Sequence, residues 1–193
     1  MEKEINNNSA INPPKKKNIA LSIIFTIITL GIYNCFWHIL RVKELNNLNT
    51  QKKVGKAGGI IALLFLIVGI LGVFWLAEEI LRTTPIFPIK FTKTQLPVIL
   101  IVASVILLAK IILIFQAFKV RSIINEALQN KNSNVKLSSI YTLLFNNLYL
   151  QYEINRIIDD KEQNKRKGPM IFLIILILLV LSASIILFLK YAK

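Results

Sequence analysis

Of 193 residues, 54% are hydrophobic and 18% charged, and 24 Lys and Arg against 10 Asp and Glu leave a net charge of +14. So apolar a chain does not suit a water-soluble domain of this length, and its apolar residues are gathered in long runs. The positive charge lies between those runs, which points to anionic headgroups as partners and, with no soluble basic domain present, excludes nucleic acid. The single cysteine, Cys35, excludes an internal disulfide.

In chain order, residues 1–17 are polar, Asn-rich and broken by Pro13 and Pro14, and are expected to form a disordered tail ahead of a membrane domain spanning 18–193. The first hydrophobic segment, 18–40, is free of charge and framed by Lys15 to Lys17 and by Arg41 and Lys43. It resembles a signal peptide in outline, but Tyr33 and Asn34 are not the small residues a cleavage site wants, so retention is expected. A polar helix should follow from Arg41, then a basic loop around Lys52, Lys53 and Lys56. The second segment, 57–77, places Gly58, Ala62, Gly69 and Gly72 on one helical face, where a neighbouring helix can come close, and ends near Trp75, a residue suited to the interface. Pro85, Pro88 and Pro97 suggest an extended strap before the third segment, 97–118.

That third segment contains Lys110, the one charge within a span. Its Leu, Ile, Val and Phe residues supply about −5 to −9 kcal/mol of insertion energy against about +3 for a central lysine, so insertion is expected to win. The helix should continue through the residues after Lys119 and stop near Asn130. Residues 137–158 are apolar but short and interrupted by Asn146 and Asn147, which reads as an interfacial helix or one packed on the bundle. The fourth segment, 169–190, is the clearest span. The fold class expected is all-α: a multi-pass integral membrane helical bundle of three to four hydrophobic segments plus the interfacial helix.

Basic residues set the orientation. If all four segments cross, the flanking Lys and Arg divide 14 to 9 between the two sides. If the first segment bends at Gly31 and returns to the side it entered from, the division becomes 18 to 5. The second arrangement is favoured, although 23 residues of helix would be long enough for a plain crossing.

Thr29, Gly31, Ile32, Tyr33 and Trp37, followed by Lys43-Glu44-Leu45-Asn46, resemble the signature of a family of small bacterial membrane proteins known only as a domain of unknown function. Tyr149, Gln151 and Asn155 look like a second feature of such proteins. The resemblance implies a multi-pass protein of the bacterial inner membrane with no assigned activity. A weak internal echo accompanies it: Phe36 precedes Glu44-Leu45-Asn46 by the interval at which Phe145 precedes Glu153-Ile154-Asn155, and paired broken segments are a mark of transporter-like repeats.

Lys110 is the sharpest candidate for function, since an ionisable group in a span is otherwise expensive. Ala103 and Ala117 share its face, turning it toward other helices; alternatively its stem snorkels toward the level of Lys119 and Arg121. Cys35 and His38 stand three apart on one helical face, but two ligands do not make a zinc site and no second His or Cys exists. The adjacent acids Glu78-Glu79 and Asp159-Asp160 read as boundary charges, and the Gly55 to Gly59 stretch lacks the spacing of a phosphate loop. Tyr33, Phe36 and Trp37 suit an interfacial anchor, and Thr26 and Thr29 can bond back to the preceding turn. No catalytic, cofactor-binding or metal-binding residues are therefore assigned, and no cofactor is expected. The reading is a non-enzymatic membrane component engaging anionic lipid or a protein partner, which includes a further copy of itself. The alternative is a small transporter or channel subunit using Lys110 and the broken helices.

Overall fold

The computed structural model describes residues 14–83, 95–159 and 161, and the single residues 171, 175 and 182. Among them are five helices: α1 (Ile19–Ile28), α2 (Ile32–Asn46), α3 (Ala57–Thr83), α4 (Gln95–Asn130) and α5 (Ser139–Ile158). The N-terminal tail 1–13, the proline strap 84–94 and nearly all of the fourth segment, 169–190, lie outside the described residues.

Segment 18–40 is two helices, not one. Asn18 caps α1, its side chain accepting from the backbone N–H groups of Ala20 and Leu21. After one short helix the backbone turns left-handed at Leu30 (φ 50°) and Gly31 (φ 92°), and the Gly31 N–H bonds back to the Thr26 carbonyl at 2.8 Å, closing the helix end. α2 then runs back beside α1. Ser22 Oγ lies 3.1 Å from the Tyr33 hydroxyl, and Thr26 Oγ1 lies 2.9 Å from Asn34 Oδ1. Phe25 and Tyr33 stack at 5.7 Å, and at the open end Arg41 Nη2 donates to the Lys15 carbonyl at 2.6 Å. The element is a helical hairpin with its tip at Gly31. Thr26 and Thr29 bond to the Ser22 and Phe25 carbonyls, at 2.8 and 2.6 Å, as their positions in an apolar helix require.

Among the described residues, α3 and α4 are the two helices long and apolar enough to cross a membrane. They pack closely through the face of small residues read from the sequence. A Cβ on Gly58 would run into the Gln116 side chain, and one on Gly69 into Ile106. Ala62 is fully buried. Trp75 is 54% exposed, as suits an interface position.

α5 departs from the single interfacial helix expected over 137–158. Asn146, at φ 45° and ψ −123°, breaks it, and the two limbs fold toward each other: Tyr141 and Tyr149 rings lie 5.6 Å apart, and the Tyr149 hydroxyl accepts from Ser138 N at 2.8 Å. One end of this second hairpin is tied to α4, where Arg121 Nε donates to the Leu137 carbonyl at 2.9 Å, and the other to the open end of the first hairpin, where Asn155 Nδ2 donates to the Lys17 carbonyl at 2.7 Å. The breaks do not fall at equivalent places in the sequence echo, since Gly31 precedes Phe36 whereas Asn146 follows Phe145. Interval similarity there does not translate into a shared bend.

Two apolar cores result. One lies at the open ends of the hairpins, where the polar C-terminal stretch of α4 supplies Val120, Ile123, Ile124 and Leu128 against Trp37, Leu45, Leu137, Tyr149, Leu150 and Ile154. The other, smaller, joins Cys35 at the first hairpin to Ala62, Leu66, Ala109 and Leu113 of the long helices.

Candidate functional site

At the open ends, or feet, of the hairpins a polar network ties the entering chain to α2 and α5. Gln151 Oε1 accepts from Trp37 Nε1 at 2.9 Å and from Arg41 Nη2 at 2.6 Å. Gln151 Nε2 donates to Asn155 Oδ1 at 2.7 Å, and that oxygen also receives the Lys17 N–H at 3.2 Å. Arg41 Nη1 pairs with Glu44, whose carboxylate accepts the Lys15 N–H at 3.0 Å. The Arg41 side chain is fully buried and its guanidinium lies over the Trp37 ring. Burial pulls its pKa downward against the opposing pull of Glu44, and burial together with the Arg41 charge pulls Lys17 down as well. Outside this core, Asp159 pairs with Lys16 at 2.7 Å.

Trp37 is therefore not the interfacial anchor its type suggested. It is 1% exposed, because an indole N–H can be buried where an amide oxygen meets it. Phe36, beside it, is 45% exposed.

At the hairpin tips the chemistry is sparser. A Cβ on Gly31 would fall 2.9 Å from Lys110 Nζ, so the ammonium rests against the turn of the first hairpin and does not reach toward Lys119 and Arg121. The face assumed for Lys110 is also mixed: Ala117 is fully buried but Ala103 is exposed. Beside Lys110 lies a cleft of about 350 Å³, lined by Asn34 from the first tip, by Leu113 and Ile114 of α4, and by residues 143–148 around the second tip. Lys110, Leu143 and Leu144 are exposed, making this a cleft and not a sealed hole. Asn146 Oδ1 is 3.1 Å from His38 Nε2. The neighbouring Asn147 is 1% exposed, and its amide nitrogen has no hydrogen-bond partner.

Cys35 and His38 share a helix but not an environment. Cys35 packs in the apolar cluster with Ala62 and Leu113, while His38 bonds Asn146 of the second tip. Of the signature residues, Trp37, Gln151 and Asn155 meet in the network at the feet, and Tyr149 holds Ser138. Thr29 and Gly31 form the first tip; Ile32 and Tyr33 open α2. The roles of Asn34 and Asn147 were missed. Their signal was a polar amide within an apolar run, which reads equally as an interruption.

A family described as a domain of unknown function (DUF4234) has a model that matches residues 17–126, from the start of the first hairpin through most of α4. Tyr149, Gln151 and Asn155 lie beyond that match. Neither the curated proteins nor the solved structures contain a match to this chain.

Proposed function

Since the chain belongs to the DUF4234 family, whose description carries no activity, we propose from its geometry that it is a non-enzymatic, multi-pass membrane protein whose basic face engages anionic lipid headgroups. The observation that carries this is the coincidence of oily helices with a one-sided charge. The apolar windows of α3 and α4 are only 22% and 11% buried, with Leu71, Phe74, Leu100 and Phe115 among the large side chains left outside. A soluble core helix would cover such a surface, whereas acyl chains leave it uncovered by protein. The feet of both hairpins, the loop before α3 and the far end of α4 gather at one end. The loop is held to α4 by Lys52 Nζ on Ser122 at 2.8 Å and Asn130 Nδ2 on the Asn49 carbonyl at 2.6 Å. That end carries Lys15 to Lys17, Arg41, Lys43, Lys52, Lys53, Lys56, Lys119, Arg121, Lys131, Lys136 and Arg156, whereas Glu78, Glu79 and Arg82 mark the other end of α3. By the positive-inside rule the basic end faces the cytoplasm, in the inner membrane of a bacterium. Both hairpins then enter from that side and return to it, and α1, at about 15 Å, reaches about half the hydrocarbon depth.

Single cysteines on a Cys35→Ser background test the placement. Asn8→Cys, Asn49→Cys and Asn134→Cys should label from one side of sealed vesicles and Glu78→Cys from the other. Opposite accessibility of positions 8 and 49 would falsify the first hairpin. The lipid preference is read from lipid retained through purification: phosphatidylglycerol should be enriched over phosphatidylethanolamine at low salt and lost at high salt, and equal retention sinks it.

A second reading, a transporter or channel subunit, draws support from one observation: both tips approach Lys110. Broken helices at mid-depth are tolerated where protein shields them or a cavity is lined.

A further inference from the structure

The cleft between the tips is unusual in what it offers. Its charge is one ammonium, Lys110 Nζ, which has no ion pair among the described residues and no acid beside it in the lining. That ammonium rests at the first tip, against the turn at Gly31, where the first N–H groups of α2 are already taken, Ile32 by the Thr29 carbonyl and Tyr33 by Thr29 Oγ1, each at 3.0 Å. Asn147, at the start of the second limb of α5, also belongs to the lining and is 1% exposed with its amide nitrogen unmatched. A buried donor without an acceptor is destabilising, and an ammonium without a counter-ion is uncompensated inside a bilayer. Both are met by one species, an anion seated in the cleft. The rest of the lining is mainly apolar, with Leu113, Ile114, Leu143 and Leu148 beside the Asn34 and Asn146 amides, which suits an anion that carries hydrocarbon. One cation matches one negative charge, because a second buried charge would stay uncompensated. A phospholipid phosphate is a poor occupant: it belongs at the headgroup level, about 15 Å from the bilayer centre, and the tip lies against Leu66 near the middle of the apolar stretch of α3.

We propose that this cleft binds a monoanionic amphiphile, a carboxylate on an apolar chain, with the carboxylate between Lys110 Nζ and the Asn147 amide and the chain along the leucines. The volume of about 350 Å³ is that of a small-molecule site and accommodates a short chain or the head of a longer one. The inference rests on the bilayer placement proposed above but is tested apart from it: cysteine labelling reports the placement, and ligand binding reports the site.

The experiment is equilibrium dialysis of labelled octanoate against the full chain in phosphatidylcholine nanodiscs, with octanol as the neutral competitor. Saturable binding is expected, with octanol competing at least about tenfold more weakly, and Lys110→Met should weaken octanoate by about tenfold or more. Lys110→Arg should retain binding. Asn147→Leu should weaken it severalfold while raising the melting temperature of the ligand-free protein, a pairing that a purely structural asparagine would not give. Competition by oleate but not butyrate identifies an acid entering from the bilayer, and the reverse identifies one entering from water. The proposal fails if octanol competes equally, if a folded Lys110→Met binds as the parent does, or if no saturable binding occurs. Should Lys110→Met not fold, Lys110→Arg and Asn147→Leu still decide it. A Lys110→Met protein that melts lower but binds unchanged would overturn the site and leave the lysine a structural role at the first tip.

Discussion

The two ends of the hairpins are built on opposite terms. At the feet, Gln151 is met by Trp37, Arg41 and Asn155, and Arg41 by Gln151, Glu44 and the Lys15 carbonyl, leaving only its Nε without a partner. At the tips, a left-handed turn at Gly31 sits against a lysine, and a buried asparagine amide has nothing to donate to. Matched polar groups fix one arrangement of the chain, since any displacement leaves a buried donor or charge exposed to its desolvation cost. An unmatched group holds nothing in place. The feet therefore fix the architecture more firmly than the tips do.

The sharpest way to break that contrast is at Arg41. Arg41→Leu takes a fully buried guanidinium from Glu44, the Lys15 carbonyl and Gln151 at once; Glu44, 27% exposed, keeps the Lys15 N–H, so the loss is that of the charge-assisted hydrogen bonds, roughly 3–4 kcal/mol. A large fall in detergent melting temperature is expected, with octanoate binding lost only in proportion to the unfolded fraction. If Arg41→Leu is as stable as the parent, the feet do not hold the fold. Next in size is Gln151→Leu, which leaves the indole N–H and one Arg41 donor unmatched, at roughly 2–3 kcal/mol. Trp37→Phe removes a single hydrogen bond and some volume, at roughly 1–2 kcal/mol. Because both touch one bond, a double-mutant cycle should show coupling of about 1 kcal/mol, and additivity would remove that bond from the account.

Gly31→Ala moves the test to the tip. With φ at 92° an alanine costs roughly 1–2 kcal/mol, and its Cβ, 2.9 Å from Lys110 Nζ, meets only the free end of a flexible side chain. Stability should fall less than at Arg41, while the octanoate affinity falls more. Equal effects on both would erase the division between feet and tips.

Much of this architecture was legible because it follows from composition along the chain. The long apolar helices α3 and α4, the face of small residues between them and the stop of α4 at Asn130 come from apolar runs and their punctuation. The bend at Gly31 was legible indirectly, because a return there makes the expected division of basic residues more lopsided. The second hairpin was not. Asn146 adopts a positive φ that asparagine tolerates more readily than most residues, yet an asparagine in an apolar run gives no sign of whether it bends the chain, bonds a histidine or faces solvent. Trp37 misled for a related reason. An aromatic near a charged boundary suits the interface, and only the distant Gln151, 114 positions away, makes its burial possible.

The smallest expected effect lies at the edge of the network. Asp159 accepts Lys16 Nζ through both oxygens, at 2.7 and 2.8 Å, and that hydrogen bond is the first cause holding its carboxyl below the ordinary value of 3.8. A carboxylate with a lowered folded-state pKa contributes stability that is complete above the unfolded value and disappears as pH falls through the folded one. Because Lys16 and Asp159 are 56% and 30% exposed, salt should screen the pair. Asp159→Asn should therefore melt slightly below the parent at neutral pH and low salt. The gap should close in high salt, and close again in acid once the parent carboxyl is protonated. A gap that persists in acid would mean Asp159 acts as a neutral cap on the end of α5, and that the feet are held by their buried amides and Arg41 without help from the exposed charges around them.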